Sequence, residues 1–515
     1  MGVLAVYDTV GIQNYIFSSN KLAENVGASK LVADVFSETL PDVITEVTKE
    51  ERFRWKDHRT EGFNDHLSAE IIYQGGGNAY IKFKDEKVFQ DVTEAFLTAV
   101  SLNARGIGVA VAAIETDFKD TYKPDFEKLN NRLTLVKGGF NIPAFAGNQP
   151  ITKQSKRTGL PTSLEKEEEY LSESQWLKRK KYSEYKNKSG TTIKDFDNLA
   201  FEKDTDSLIA IVHADGNNMG SQIKEFMEGF KANADYEEVV PEIRQLSYRI
   251  DKCYKAAREK TMELFNDEYK KYVEDLKKKT PTRQISETPP ILELIGDGDD
   301  TTVVIGGRFA IDFAVTLLKK IEATPENMRP FKDRVPTACA GVVIFHCHYP
   351  FSEAYKLAEE LCSSAKKPSR KLDGSYIDFH LHQSGRVSSL NMLRERQYTI
   401  DGKSVLRRPW RVSKGREKEY QNFSWFMANM EKISNTDEYP RNKLKEIRNA
   451  IGAGDKAAKL AENKLRGAKL PELELEQIED SKKEETSSYA AVFDILEMLD
   501  VYENLMNKGD IGDGK

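Results

Sequence analysis

Residues 294–305 read LIGDGDDTTVVI: Asp297, Asp299 and Asp300 stand among glycines between two apolar runs. Glycine-flanked polar residues between such runs form a hairpin turn, so these acids crowd at the tip of a sheet. A further acid, Asp215, ends an earlier apolar run, LIAIVHA (208–214). Three ionised carboxylates in one place repel one another unless a cation neutralises them or some stay protonated. Mg²⁺ suits such a site, because it takes one or two carboxylates and leaves positions open for phosphate oxygens. Two such ions about 3.5–4 Å apart clamp the attacking and leaving oxygens of a phosphoryl transfer. Metal-dependent phosphoryl transfer, with Mg²⁺, is therefore the expected chemistry. Asp215, Asp299 and Asp300 are its catalytic and metal-binding residues.

Phosphate contacts are expected beside them. Gly216, Asn217, Asn218 and Met219 open the helix after Asp215, and free N–H groups at a helix start favour anions. Lys366 ends a helical run at 352–367 and offers a point charge to a triphosphate. The chain has no GxxxxGK[ST], which excludes a P-loop, and no Ser-His-Asp set stands out. The EF-hand spacing fails as well. His346, Cys347 and His348 lie where a strand ends; neighbours there point to opposite faces, so no metal role is expected of them. Asp8 ends the first strand, but its partner turn carries Gly77 and Asn78 instead of acids. A structural or capping role is expected for it.

The elements that must position these residues recur twice. In 1–118, VLAVY (3–7) is a strand. A helical stretch follows with a break expected near Gly27. A strand–glycine turn–strand unit spans 68–83, a helix 85–104 and a strand 107–114. That order, β-α-β-β-α-β, is the ferredoxin-like split unit. Residues 206–385 repeat it: a strand at 208–214, a helix from about 217 with a long charged helical insertion, a hairpin at 289–305, a helix, a strand at 337–345 and the lysine-bearing helix. The first two strands of the unit are expected side by side at the sheet centre, which would bring Asp215 to Asp299 and Asp300. The turns correspond as QGGGNA and GDGDDT, so we read an internal duplication with acids in one copy. The fold class is α+β. Residues 119–205 form a charged inserted segment whose most basic stretch, 176–190, reads as a solvated linker or as a surface for phosphate-bearing partners. Residues 386–515 read as a helical C-terminal domain, with an acidic, exposed stretch at 471–488.

Composition sets the limits. At 515 residues and 39% hydrophobic content the chain can build several cores. A formal charge of −6 gives no global reason for nucleic-acid binding. Four scattered cysteines without a C-x-x-C pair argue against a disulfide scaffold and a cysteine zinc knuckle. No secretory signal is visible, and no run reaches the ~18 apolar residues of a membrane span. A soluble cytoplasmic protein is expected.

The sequence resembles the large palm-domain subunits of type III CRISPR effector complexes, the polymerase/cyclase proteins with a GGDD motif. GIQNYIFSSNKLAENVGASKLV and GGGNAYIKF look like that family's inactive first palm; ADGNNMG and GDGDDTTVVI look like its active second palm. AYKLAEELCSSAKK resembles the lysine-bearing helix that these palms share with GGDEF cyclases, and LRRPWRV (406–412) the segment after the second palm. The resemblance implies that Asp215, the Gly216 backbone, Asp299 and Asp300 hold metal. It also implies that Gly216 to Met219, Gly298 and Lys366 bind nucleotide. The implied activity joins ATP into cyclic oligoadenylate or a related cyclic nucleotide, releasing pyrophosphate, in antiviral defence. Implied partners are nucleoside triphosphates, RNA or CRISPR-type subunits, and the duplication allows an internal or homodimeric pair of palms. Asp297 stands at the first glycine of GGDD, and Asn217 replaces an acid common at the strand end. The nuclease domain and the cysteine zinc module of many relatives are missing from this sequence, so a stand-alone cyclase is one expectation. A non-catalytic RNA- and subunit-binding scaffold and a GGDEF-like dinucleotide cyclase are the alternatives.

Overall fold

A computed structural model describes residues 1–119, 122–139, 152–166, 169–202, 206–231, 233–282, 285–383, 385, 389–414, 422–434, 438–467 and 486–507. Most of the acidic stretch expected at 471–488 lies outside them.

The first palm begins with β1 (Gly2–Val10), followed by α1 (Ile12–Ile16), α2 (Leu22–Asp34) and α3 (Leu40–Thr48). The hairpin β2 (Ala69–Gly75) and β3 (Asn78–Phe83), α4 (Glu86–Asn103) and β4 (Gly108–Thr116) complete the expected unit. Helix α5 (Tyr122–Gly138), expected within the insertion from 119, instead packs Tyr122, Leu129 and Leu133 onto the first palm's sheet. That sheet runs β2-β3-β1-β4. The inserted segment holds a small hairpin, β5 (Leu164–Lys166) and β6 (Glu169–Leu171), and the basic helix α6 (Glu173–Ser189).

The second palm repeats the plan: β7 (Leu208–Gly216), α7 (Met219–Glu228), the 44-residue α8 (Tyr236–Lys279), β8 (Ile291–Asp297), β9 (Asp300–Gly306), α9 (Ala310–Glu322), β10 (Ala338–His346), α10 (Phe351–Leu372) and β11 (Tyr376–Leu381). Beyond it lie α11 (Leu390–Gln397), the short β12 (Thr399–Ile400), β13 (Lys403–Ser404) and β14 (Trp410–Arg411), and helices α12 (Phe423–Ser434), α13 (Arg441–Ile451), α14 (Asp455–Gly467) and α15 (Ala490–Met498). The larger sheet runs β14-β11-β10-β7-β9-β8. Two ferredoxin-like units in an α+β chain are thus present, as expected. One detail differs: β7 pairs with β9 and β10, while β8 sits at the edge. The split unit places its first strand between the third and fourth, so the acids reach Asp215 along β9.

Period-two burial separates the two faces of the larger sheet. Ala210, Val212, Ala214, Val303, Ile305, Val342 and Ile344 face α8, α9 and the C-terminal helices. Ile209, Ile211, Val304, Val343 and Phe345 face the other way, onto α10 and onto Leu22 and Val26 of α2. The exchange is reciprocal: Met227, Tyr236, Val239 and Ile243, from α7 and α8, cover Leu4, Val6 and Ala112 of the first sheet. Each palm thus closes the open face of the other.

Two sequence expectations fail here for packing reasons. Gly27 does not break a helix; α2 runs straight through it. A Cβ there would sit 1.7 Å from the Lys178 carbonyl oxygen, so the glycine lets α6 approach α2. Nor is the basic stretch at 176–190 wholly solvated, since three of its six cations are engaged within the molecule. Lys178 is buried and donates to the Tyr15 carbonyl oxygen (2.6 Å), Arg179 pairs with buried Glu24, and Lys181 pairs with Asp34. At the far end, buried Arg408 pairs with Asp494 and Glu497 of α15, and Trp410 Nε1 donates to Asp494 (2.9 Å). The LRRPWRV segment thereby ties the helical end to the edge of the larger sheet. None of the described helices is long and apolar enough to cross a membrane.

Candidate functional site

Asp215 is the penultimate residue of β7. Antiparallel register pairs Ala214 with Thr301, which puts Asp215 level with Asp300 at the start of β9. The β8–β9 turn is tight, with Asp297 opposite Asp300 and Gly298 at φ +57°, a conformation that favours glycine. Asp299 therefore projects from the turn toward the end of β7. A Cβ on Gly216 would lie 2.7 Å from Asp299 Oδ2 and 2.8 Å from the Tyr254 hydroxyl, so the carboxyl requires glycine at 216.

The positive groups come from two helices. Lys366 Nζ, on α10, contacts the Asp215 carboxylate and donates to the Gly216 carbonyl oxygen at 3.1 Å. Burial alone would lower the lysine pKa, but Asp215 outweighs it and holds the ammonium charged. Asn218 takes φ +56° and caps α7, whose first-turn N–H groups have no partner within the helix. Asp215 to Gly220, Asp299, Lys366, Ser369 and Arg370 line one cavity of about 400 Å³.

Asn217 differs from its expected part. Its N–H donates to the Thr337 carbonyl oxygen (2.9 Å), and its side-chain Nδ2 donates to Thr337 Oγ1 (3.1 Å) and the Gly374 carbonyl oxygen (3.0 Å). The anion-facing donors therefore begin one residue later. A carboxylate could not donate to those oxygens, which accounts for the amide in place of an acid.

Asp299 is pushed up to about 6 and Asp300 to about 8, in both cases first by desolvation in the cleft and then by neighbouring carboxylates, Asp215 foremost. Among the described residues these carboxylates do not gather within 4.8 Å of one another; Lys366 lies against Asp215 instead. Crowded hard oxygen donors that resist ionising together suit a divalent cation of the Mg²⁺ class, which Asp215, Asp299, Asp300 and the Gly216 carbonyl could hold with Lys366 displaced from them.

Asp297 turns the other way. Its carboxyl accepts a hydrogen bond from the Gly77 backbone of the first palm, and desolvation followed by the Asp251 charge raises its pKa. A Cβ on Gly298 would stand 3.8 Å from Gly76 N, so the two hairpins meet tip to tip. Cavities of about 350 and 370 Å³ flank the contact, the first lined by Tyr73 to Asn78 and Met219, the second by Thr9, Lys30, Asp300 and Tyr355. Sequence reasoning missed Arg370, Tyr254 and Arg258. Arg370 was findable, since it falls one helical turn after Lys366. Tyr254 and Arg258 come from the middle of α8, where only tertiary structure reveals the turn; Arg258 donates to Glu293 (2.7 Å) and to the Gly296 carbonyl oxygen (2.9 Å).

Fold and site together define a protein of two ferredoxin-like, palm-type domains. Residues 208–373 match the model of the second palm domain of Cas10/Cmr2. Over 97% of its length the chain also shares the fold of three solved Csm1 structures, each covered to 69%: a Csm1–Csm4 cassette in complex with cA3 (TM-score 0.54, 14% identity), one in complex with AMPPNP (0.53, 15%) and Csm1 in T. onnurineus (0.52, 12%). No curated protein matches in a comparison by sequence. The second-palm match and the whole-chain fold both bear out the resemblance to large palm-domain subunits of type III CRISPR complexes.

Proposed function

We propose that the protein is a metal-dependent nucleotidyltransferase that joins nucleoside triphosphates, ATP first among them, into a cyclic oligonucleotide signal. One observation carries this reading: Asp215, Asp299 and Lys366 converge on one cavity at the start of α7, with Asp300 level with Asp215 across the strand pair. In the reaction a ribose hydroxyl gives up its proton as its oxygen bonds to the α-phosphorus of a second nucleotide. The bond between α-phosphorus and the bridging oxygen breaks, and pyrophosphate leaves. Bound at the carboxylates, Mg²⁺ or Mn²⁺ supplies charge neutralisation and activation of the hydroxyl. The α7 N-terminus and Lys366 hold the triphosphate, Arg370 reaches it from the next turn, and the cavities beside the first palm receive the acceptor nucleotide. Similar folds have been solved with AMPPNP and with cA3, which supports nucleotides as ligands here.

The scaffold alternative rests on the basic 176–190 stretch and the large helical end; three of the six cations of that stretch are committed within the molecule. The test is incubation of purified protein with each nucleoside triphosphate and Mg²⁺ or Mn²⁺, followed by mass spectrometry. Cyclic product absent from an Asp299→Ala/Asp300→Ala control is expected, and its base distinguishes an adenylate product from a GTP-derived dinucleotide. Equal output from protein and control would sink the proposal for the free protein.

A further inference from the structure

We propose that Asp197, Cys347 and His348 form a zinc-class cation site that staples the inter-palm segment to the turn leading into α10. Cys347 Sγ lies 3.0 Å from Asp197 Oδ1, and His348 Nε2 lies 3.8 Å from the same oxygen. All three ligand atoms fall within 4.8 Å of one another, and among the described residues no other cysteine, histidine, aspartate or glutamate trio does so. A tetrahedral ion with bonds of about 2.0–2.3 Å holds its ligand atoms at about this spacing. His346 Nδ1 lies 4.0 Å from the sulfur. Thiolate, imidazole and carboxylate together select a borderline-soft ion such as Zn²⁺ over Mg²⁺.

The donors stand on fixed backbone. Asp197 belongs to a single 3₁₀ turn, Phe196–Leu199, closed by a capping box between Asp195 and Asn198. The Phe196 ring stacks on Phe351, the first residue of α10, at 4.7 Å. The Cys347 N–H donates to the Ser207 carbonyl oxygen (2.9 Å), and Tyr349 N–H to that of His346 (2.8 Å). The alternating-face argument against these residues applies to extended strand, and Cys347 and His348 lie beyond the end of β10. Asp197, distant in sequence, completes the set. The Cys347 thiol donates its proton to Asp197 Oδ1 (3.0 Å). Cation uptake displaces that proton. Asp197 and His348 are exposed, so an ion reaches the site from solvent.

The test uses the full chain, stripped with chelator and titrated with Co²⁺, whose thiolate charge-transfer band reports sulfur ligation. A band saturating at one ion per chain and displaced by Zn²⁺ is expected, together with a rise in Tm. Cys347→Ser should abolish it, and His348→Ala, at an exposed position that does not threaten folding, should weaken binding by at least about tenfold. Asp299→Asn/Asp300→Asn should leave it unchanged, since oxygen ligands give no such band. Absence of the band in the unaltered chain, its persistence in Cys347→Ser, or Co²⁺ affinity unmoved by His348→Ala would each overturn the proposal.

Discussion

The two palms share a frame and differ at a few side chains. In each, the first strand carries near its end an aspartate that a lysine from the appended helix engages: Lys137 with Asp8 (2.7 Å) in the first palm, Lys366 with Asp215 in the second. The hairpin register corresponds residue for residue, Gly75↔Asn78 against Asp297↔Asp300. An aspartate–lysine pair is therefore common scaffold, and the turn acids are what set the second palm apart. The position after the strand aspartate accounts for the difference. In the first palm Thr9 fills the space beside the turn and its hydroxyl donates to the Gly77 carbonyl oxygen (2.8 Å). In the second, Gly216 leaves that space empty for Asp299.

The largest effect should come from separating the palms. A fragment holding only residues 206–385 loses the α2 and α6 cover over Ile209, Ile211, Val343 and Phe345. Burying each such side chain contributes about 1.5–3 kcal/mol, so the fragment should show no cooperative thermal transition by circular dichroism. Next, Asp299→Asn/Asp300→Asn should lower cyclic-nucleotide formation by at least about a hundredfold, whereas Asp8→Asn should leave it within about twofold. Equal losses would erase the distinction between the palms. Gly216→Thr, which imitates the first palm, should cost at least about tenfold in rate by displacing Asp299, while Thr9→Gly should be tolerated.

The last effect is one of pH. Asp299 and Asp300 hold protons in the fold, to about 6 and about 8, that an unfolded aspartate releases near 3.8. The folded state then binds more protons, so stability falls as pH rises from about 4 to about 8. Chelator-treated protein should lose Tm across that window, Mg²⁺ should restore it, and the Asp299→Asn/Asp300→Asn variant should show a flatter profile.

Much of this was legible in the sequence. Alternation and glycine turns marked both hairpins, and the duplication matched QGGGNA to GDGDDT. Composition does not reveal which strands are neighbours, so the sequence reading set β8 beside β7 where β9 lies. Local propensity read Gly27 as a break, though a helix tolerates glycine when a second helix packs on it closely. The basic stretch at 176–190 looked solvent-facing because its acidic partners, Glu24 and Asp34, lie far away in sequence. Asp297 was unaccountable for the same reason: its hydrogen-bond partner, Gly77, belongs to the other palm.

The long helix α8 works as a ruler. Buried Arg244 grips the first palm's edge strand through Glu70 (2.6 Å) and the Ile72 carbonyl oxygen (3.0 Å), and Arg258 grips the second palm's through Glu293 and Gly296. Fourteen residues of helix set these grips about 21 Å apart. The width of the cleft is thus counted in residues, and so is its phase. One residue inserted between the arginines would swing Arg258 by about 100° away from its hairpin, whereas two whole turns would keep its direction and part the palms by about 10 Å.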